Sequence, residues 1–234
     1  MSHNREKIKE LASGQLKDEA NAWFVGEPFK VFYDYKKEGI WQLGEEAAAA
    51  ANGQEPGDIK VQDVDGNGVI TTDDRIIYSQ RPDVTFGFNN TFNYKGFDLS
   101  VFLYARLGQW IAYDYNTTYR INALENGGNV DYWTPENPTN AFPRPNKSKS
   151  YTQVTYYSTL KYEDGSFFKI RDITLGYTFK PELLKHLNLS KLRVYATAKN
   201  FFTFSKIDNY DPEQGGSISF PMTKQLVFGL NVEF

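Results

Sequence analysis

The clearest pattern along the chain is a strict alternation of apolar and polar side chains, and it is most regular at the C-terminus. In the final stretch, KQLVFGLNVEF, one set of alternate positions is entirely apolar: Leu226, Phe228, Leu230, Val232 and Phe234. Successive side chains of a β-strand point to opposite faces, so alternation of this length is typical of a strand with one apolar face. The pattern predicts a strand that ends at Phe234.

The same alternation predicts further strands. The segments are 84–89, 97–106, 172–179 and 192–199, with 29–35 as a weaker candidate. Several of them reach the roughly 9–11 residues that a membrane-crossing strand needs, whereas strands of soluble proteins average about 5–6 residues. Strand length therefore favours a membrane-spanning sheet.

Charged side chains also lie in or beside these predicted strands, on the more polar face. They are Asp98, Arg106, Lys169, Arg171, Arg193 and Lys199. The interior of a water-filled or plugged barrel accepts such charges, and so does a sheet face that is exposed to solvent. The charges support a barrel without excluding a soluble sheet.

The connections discriminate better, because short and long ones alternate. The connections at 94–97 and 180–191 are short, whereas those at 36–82, 108–165 and 206–221 are long and polar. Outer-membrane barrels have short periplasmic turns and long extracellular loops. The spacing therefore predicts an all-β fold, in which antiparallel transmembrane strands carry long loops on the outer side.

Composition narrows the classes of protein. The 234 residues carry a net charge of -3 and no cysteine, which argues against a nucleic-acid partner and excludes disulfides and thiolate metal sites. The polar N-terminus has no secretory signal, and no apolar run could form a membrane helix, which taken alone suggests a soluble protein. The 18 Phe, 16 Tyr and 4 Trp favour a β-barrel instead. Two short helices are also expected, at 5–12 and 45–51.

One loop, QDVDGNGVITTDDR, resembles the calcium-binding loop of an EF-hand. The candidate ligands are Asp63, Asp65, Asn67, the carbonyl of Val69, and Asp74 in place of the usual final Glu. The shorter final side chain predicts weak Ca²⁺ binding, with a dissociation constant on the order of 10⁻⁴–10⁻³ M. A metal-free turn rich in Asp, Asn and Gly is the alternative.

Several longer motifs resemble the C-terminal barrel of SusC/RagA-type TonB-linked outer-membrane transporters. They are GDIKVQDVDGNGVITTDDR (57–75), GFNNTFNYKGFDLSVFLYARLG (87–108), YWTPENPTNAFPRP (132–145), YEDGSFFKIRDITLGYTF (162–179) and LRVYATAKNFFTFSKIDNYDPE (192–213). The resemblance extends over nearly the whole chain. It implies that residues 1–234 form about six strands of a 22-stranded barrel in the outer membrane, with 57–75 in an extracellular connection.

The resemblance also implies function and partners. Members of the family import glycan fragments or peptides beneath a SusD-like lipoprotein, and the TonB complex supplies energy through an N-terminal plug. Outer-membrane lipid would surround the strands, and an aromatic C-terminal residue, here Phe234, resembles the signal read by the barrel-assembly machinery. Phe234 could equally be an interfacial aromatic residue. The chain has no plug, so it is expected to be a fragment that does not transport alone.

Aromatic residues in the predicted loops are candidates for stacking on sugar rings. They are Trp110, Tyr113, Tyr115, Tyr132 and Trp133, which could equally fill space beneath neighbouring loops. Catalytic motifs are absent from the sequence. The carboxylates Glu163 and Asp164 are interpreted as a solvated loop pair, so no enzyme is expected. The alternative function is that of a secreted, soluble calcium-binding β-domain with a carbohydrate-binding role.

Overall fold

The computed structural model describes residues 1–3, 5–12, 14–122 and 127–234. The strands among them are β1 (Ser2–His3), β2 (Lys17–Asp18), β3 (Trp23–Phe24), β4 (Val31–Asp34), β5 (Lys37–Ile40), β6 (Ile59–Val61), β7 (Ile76–Ser79), β8 (Val84–Tyr94), β9 (Phe97–Leu107), β10 (Trp110–Ala112), β11 (Tyr162–Asp164), β12 (Phe167–Thr178), β13 (Lys191–Ser205) and β14 (Gln225–Glu233). The α-helices are α1 (Glu46–Ala51) and α2 (Pro181–Leu184). Short 3₁₀ helices lie at Thr72–Asp74, Asp114–Thr118, Tyr151–Gln153, Tyr157–Lys161, Lys185–Leu187 and Pro212–Gln214. In the described part of the chain, no helix is both long and apolar enough to cross a membrane.

One antiparallel sheet dominates the fold, with the strand order β1-β8-β9-β12-β13-β14. Its five long strands contain 11, 11, 12, 15 and 9 residues in chain order. These lengths match what a tilted strand needs to cross a bilayer. The strands predicted at 84–89, 97–106, 172–179, 192–199 and the C-terminus are confirmed, although β14 ends at Glu233.

The weak strand prediction at 29–35 is wrong in its placement. Strand β4 covers part of this segment, but it pairs with β7 in a separate two-stranded sheet. The Phe32 ring packs 4.9 Å from Tyr162, and Tyr33 lies 4.7 Å from Phe24, so the aromatic side chains join the loop packing. The sixth strand of the main sheet is instead the two-residue β1, which is too short to show any alternation.

The helix predicted at 5–12 is also wrong, whereas the one predicted at 45–51 is confirmed as α1. The Ile8 amide donates to Glu27 O at 2.9 Å, and the Gly26 amide donates back to Ile8 O at 2.9 Å. A short, charged segment forms a marginal helix in isolation, so a backbone partner elsewhere prevails. Here that partner is the segment around Val25, which forms a bridge with Ile8.

The long strands give the sheet one apolar face and one polar face. On the apolar face, a row of paired residues crosses five strands: Phe92, Leu99, Leu175, Ala196 and Phe228. The side chains of Phe92, Leu175 and Phe228 are 62%, 51% and 77% exposed. A soluble sheet would cover such a face with a second layer, whereas a lipid-facing sheet leaves it bare.

Aromatic rings mark the two ends of the apolar face. Beside the short turns, the Tyr177 ring lies 4.6 Å from Phe97 and 5.1 Å from Phe179. At the other end, Phe168 and Phe204 lie 6.0 Å apart. Aromatic belts at both water interfaces are typical of transmembrane barrels.

The polar face is tied together by an ion pair that spans three strands. Arg193 of β13 reaches over β12 to Asp98 of β9, with its Nε 2.9 Å from Oδ1 and its Nη2 2.5 Å from Oδ2. The residue beneath this bridge is Gly176, where an added Cβ would lie 2.5 Å from both Arg193 Nη2 and Asp98 Oδ1. The missing side chain therefore makes room for the bridge.

We expect Gly176→Ala to break part of this bridge and to lower the free energy of unfolding by roughly 1.5–3 kcal/mol, the typical contribution of a hydrogen bond to a charged group. The measurement is denaturant unfolding of the detergent-solubilised protein that contains this chain. Gly87→Ala is the matched control, because a Cβ there would meet only the Phe102 ring, at 3.6 Å. Equal losses in the two variants would contradict the role of Gly176.

Candidate functional site

The connections at 36–82 and 108–165 fold together into one loop cluster. Its core consists of Ile40, Ile59, Val61, Trp133 and Leu160. Each of these side chains is at most 4% exposed. The core therefore contains residues from both connections, and the two long loops pack together as one unit.

Backbone and side-chain hydrogen bonds join the same two connections. Trp133 Nε1 donates to Gln42 Oε1 at 2.8 Å, and the Arg144 amide donates to Gly57 O at 2.9 Å. Gly57 has φ +92°, and an added Cβ would lie 2.6 Å from Arg144 Cδ and 2.7 Å from the Trp133 ring. The tight approach at Gly57 lets the WTPENP segment lie against the chain just before the calcium-like loop.

The five aromatic residues predicted to stack on sugars occupy different environments. Trp133 and Tyr113 are buried, at 4% and 5% exposure, and Trp110 packs edge-on against Tyr78 at 4.7 Å. Tyr115 packs 5.9 Å from Tyr113, whereas Tyr132 is 43% exposed. Sugar stacking stays a prediction, and among the five rings Tyr132 is the one that offers an exposed face for it.

The calcium-like loop brings its acidic side chains together. Asp63, Asp65 and Asp74 each offer a carboxylate oxygen, and these oxygens lie within 4.8 Å of one another. Ca²⁺ binds oxygen ligands at about 2.3–2.6 Å, so two ligands on opposite sides of one ion lie up to about 5 Å apart. The spacing and the all-oxygen donor set therefore fit a calcium ion.

Hydrogen bonds within the loop hold these carboxylates in place. Asp63 accepts from the amides of Gly66 and Gly68, both at 2.8 Å, and the Asn67 side chain accepts from the Val69 amide at 2.8 Å. These bonds form the metal-free turn that was the alternative interpretation. The loop geometry is thus compatible with either state.

Asp74 closes the loop from the other end. Its two oxygens accept from the amides of Thr71 and Val64, both at 2.7 Å, and its side chain is fully buried. The bond from the Thr71 amide, more than any other contact, lowers the pKa of Asp74. The Ile70 amide donates to Asn52 at 2.9 Å, which fixes the loop to the residue that follows α1.

Glu163 and Asp164 are not the solvated pair that the sequence suggested. Glu163 is partly buried and accepts from Asn116 Nδ2 at 2.9 Å, and burial raises the pKa of its carboxyl group. The next residue, Asp164, forms an ion pair with Lys206 at 3.1 Å. Glu163 and Lys37 line a cavity of about 190 Å³ within the loop cluster. Alternating strand positions cannot show this burial, because it depends on residues from the remote 36–82 connection.

We predict that Glu163→Gln stabilises the loop cluster at neutral pH. The raised pKa means that the folded state disfavours the ionised carboxylate. The resulting loss of stability is complete above the folded-state pKa of Glu163, and it vanishes as pH falls below the ordinary Glu pKa of about 4.3. Gln keeps an oxygen for Asn116. Hydrogen exchange of residues 157–164 should slow in the variant at about pH 7.5 and match wild type at about pH 4. The exposed Glu136→Gln should change neither; slower exchange in both variants would contradict the prediction.

Several charges on the polar face form one cluster, which the sequence pattern does not reveal. Lys169 lies 2.6 Å from Asp211 and 2.7 Å from Glu213, and Arg171 lies 3.1 Å from Glu213. The two cations were expected to face a barrel interior, but their partners in the 206–221 connection were not recognised. The sequence did contain one signal for this turn, the motif DPE. Its Asp211 caps the 3₁₀ helix Pro212–Gln214, and its Pro occupies the first helical position.

Long antiparallel strands with a bare apolar face, aromatic belts and a charged opposite face define a membrane-inserted sheet of the outer-membrane type. No protein-family model matches the chain. It is 30% identical to TonB-dependent receptor P3 of Formosa agariphila, over 100% of this chain and 26% of that receptor. It is 31% identical to TonB-dependent receptor SusC of Bacteroides thetaiotaomicron, over 74% of this chain and 17% of SusC.

Solved structures give the same result for the fold. The structure of the RagAB peptide transporter superposes with a TM-score of 0.74, at 24% identity over 99% of this chain and 26% of the matched chain. The RagAB peptide importer in its open-open state gives a TM-score of 0.67 at 26% identity. The chain spans about a quarter of the length of receptor P3 and of the matched chain of the RagAB transporter. It belongs to the SusC/RagA family of TonB-dependent receptors, which are outer-membrane proteins.

Proposed function

We propose that this chain contributes C-terminal strands and loops to a TonB-dependent importer of glycan fragments or peptides. The observation that carries the proposal is the two-faced sheet, whose bare apolar face suits lipid and whose opposite face carries charged groups such as Asp98 and Arg193. Such a sheet, continued around a barrel, encloses a polar path through the membrane.

The relatives support this function at a coarser level. They are named as receptors and transporters, and the matched structures are titled as a peptide transporter and a peptide importer. By extension, we propose a SusD-like lipoprotein partner on the loop side and energy from the TonB complex. Phe234, which is 94% exposed beyond β14, remains our candidate for recognition by the barrel-assembly machinery.

The test uses the complete protein in its own host. We expect the tagged protein to fractionate with the outer membrane and to purify together with a lipoprotein. Cells should lose uptake of a labelled tryptic peptide mixture or of a labelled oligosaccharide mixture when the gene is deleted, and equally when TonB is removed. Uptake of both mixtures that survives both deletions would contradict an importer.

The second candidate is the soluble calcium-binding domain considered from the sequence. It shares the calcium-like loop, but it would have to expose the apolar row that includes Leu175 and Phe228 to water. A cooperatively folded monomer of the chain in detergent-free buffer would favour this candidate.

For the loop itself, we propose that Ca²⁺ binds Asp63, Asp65, Asn67, the Val69 carbonyl and Asp74 as a structural ion. The support is the convergence of three carboxylates on one point in a loop that is joined to α1 through Asn52. An ion there would neutralise the mutual repulsion of the carboxylates and stiffen the 36–82 connection. The ion would have a structural role in the exposed loop cluster.

We expect millimolar Ca²⁺ to slow proteolysis within residues 57–75 of the complete protein relative to chelator. Asp63→Asn should abolish the difference, because it removes one charge of the carboxylate group while keeping an acceptor for one of the Gly66 and Gly68 amides. Asp73→Asn is the control, since Asp73 lies in the same loop but outside the carboxylate group. Cleavage of the wild-type loop at the same rate with calcium and with chelator would contradict calcium binding and indicate a metal-free turn.

A further inference from the structure

The connection that follows β13 turns back along the polar face of the sheet. The strand ends at Ser205, yet Asp211 Oδ2 accepts from the Thr203 hydroxyl at 3.2 Å. Thr203 pairs with Lys169 in the sheet register, so both side chains lie on the polar face. The chain has therefore returned past the end of its own strand by the time it reaches Asp211.

Lys169 lies at the centre of this return. Its side chain is 0% exposed, and its Nζ contacts both Asp211 and Glu213 of the connection. Arg171, from the same strand, supplies the second cation at 3.1 Å from Glu213. Two cations of β12 thus balance two carboxylates of the connection, and removal of Lys169 would leave buried carboxylates without their principal partner.

The carboxylates are presented by a rigid turn. Asp211 Oδ1 accepts from the Glu213 amide at 3.0 Å and caps the 3₁₀ helix Pro212–Gln214. The turn has a pre-set backbone because Pro stands at its first helical position. Local contacts therefore set the backbone that carries both carboxylates and orient the side chain of Asp211.

The far side of the connection packs against the loop cluster. Ile207 forms a buried cluster with Ile111 and Tyr113, and the Asp114 amide donates to Gly216 O at 3.0 Å. Any side chain at Gly216, which has φ +93°, would run into the carbonyl oxygen of Ala112. The connection is thus held between the sheet and the 108–165 loop.

A cavity of about 730 Å³ lies between this connection and the end of β13. Its lining is largely polar and includes Asn200, Thr203, Asp208, Tyr210 and Lys224. Ligand sites commonly have volumes of about 300–1,000 Å³. The connection supplies part of the lining, so its position determines whether a space of this size exists beside the end of β13.

We propose that Lys169 is a positioning residue for the import path: it latches the 206–221 connection against the polar face, where that connection forms a fixed inner wall. The proposal rests on the importer function proposed above. A further ion pair of the connection joins Lys206 to Asp164, but this lysine is 79% exposed, and exposed ion pairs contribute little to stability.

The absence of cysteine from the chain allows a direct test, in which Ile207→Cys reports on the latch. Ile207 is 8% exposed, so maleimide should label a cysteine there slowly in the complete, detergent-solubilised protein, provided that other cysteines are removed. Lys169→Met should accelerate labelling by about tenfold or more, because breaking a buried charge cluster shifts the local opening equilibrium. Lys169→Arg, which keeps the charge, should restore slow labelling.

Lys199→Met is the matched control. Lys199 projects from the same face of the neighbouring strand, lies 3.8 Å from Asp172 and is 46% exposed. The Lys199→Met substitution should leave the labelling rate of the Ile207→Cys protein unchanged. Equal labelling of the Lys169→Met and Lys199→Met proteins would overturn the latch. If Lys169→Met does not assemble in the membrane, Asp211→Asn provides the same comparison, because it keeps the cap and removes one charge of the cluster.

Uptake separates a positioning role from a merely structural one. In cells, Lys169→Met should raise the half-saturation concentration for the labelled peptide or oligosaccharide mixture more than it lowers the maximal rate, and Lys169→Arg should reverse the change. Faster labelling with unchanged half-saturation would overturn the role in the path. Absence of uptake by the wild type would instead contradict the importer function, while labelling would still report on the latch.

Discussion

The structure depends on one constraint, that a strand in hydrocarbon must find a partner for every backbone amide and carbonyl group in a neighbouring strand. The antiparallel ladder meets this requirement for β9 and β12, and for β13 between Arg193 and Lys199, where each strand has a long partner on both sides. Strands β8 and β14 have one long partner each among the described residues, as expected of a chain that spans about a quarter of its relatives. Once the backbone is paired in this way, the side chains can only divide between two faces, and lipid on one side fixes which face is apolar.

The local sequence pattern was therefore enough to predict the long strands, because the division of side chains between an apolar and a polar face produces the alternation directly. It failed where structure depends on distant partners. Strand β1 consists of two residues, and no periodicity can reveal it. The segment 5–12 has the spacing of a short helix, but the backbone near Val25 offers Ile8 hydrogen bonds that an isolated turn of helix cannot match.

The same division between local and distant information holds for the candidate sites. Calcium binding itself stays a prediction, but the approach of Asp63, Asp65 and Asp74 to one another could be predicted, because these residues are close in sequence and neighbouring amides fix their turn. The burial of Trp133 could not, since its partner Gln42 comes from another connection. Lys169 could be placed on the interior side of a strand, but its carboxylate partners lie beyond a different strand, and nothing in its own neighbourhood points to them.

The register shift after Ile170 has an electrostatic consequence for the polar face. The bulge lets the adjacent residues Arg171 and Asp172 both face inward, where each has a partner of opposite sign. Most charges that the structure describes on this face therefore lie beside a charge of opposite sign. Salt at physiological ionic strength screens the remaining field of exposed charges over about 8 Å. Oppositely charged neighbours of this kind leave the face with little net charge, so charge alone would exert only a weak force on a molecule beside it.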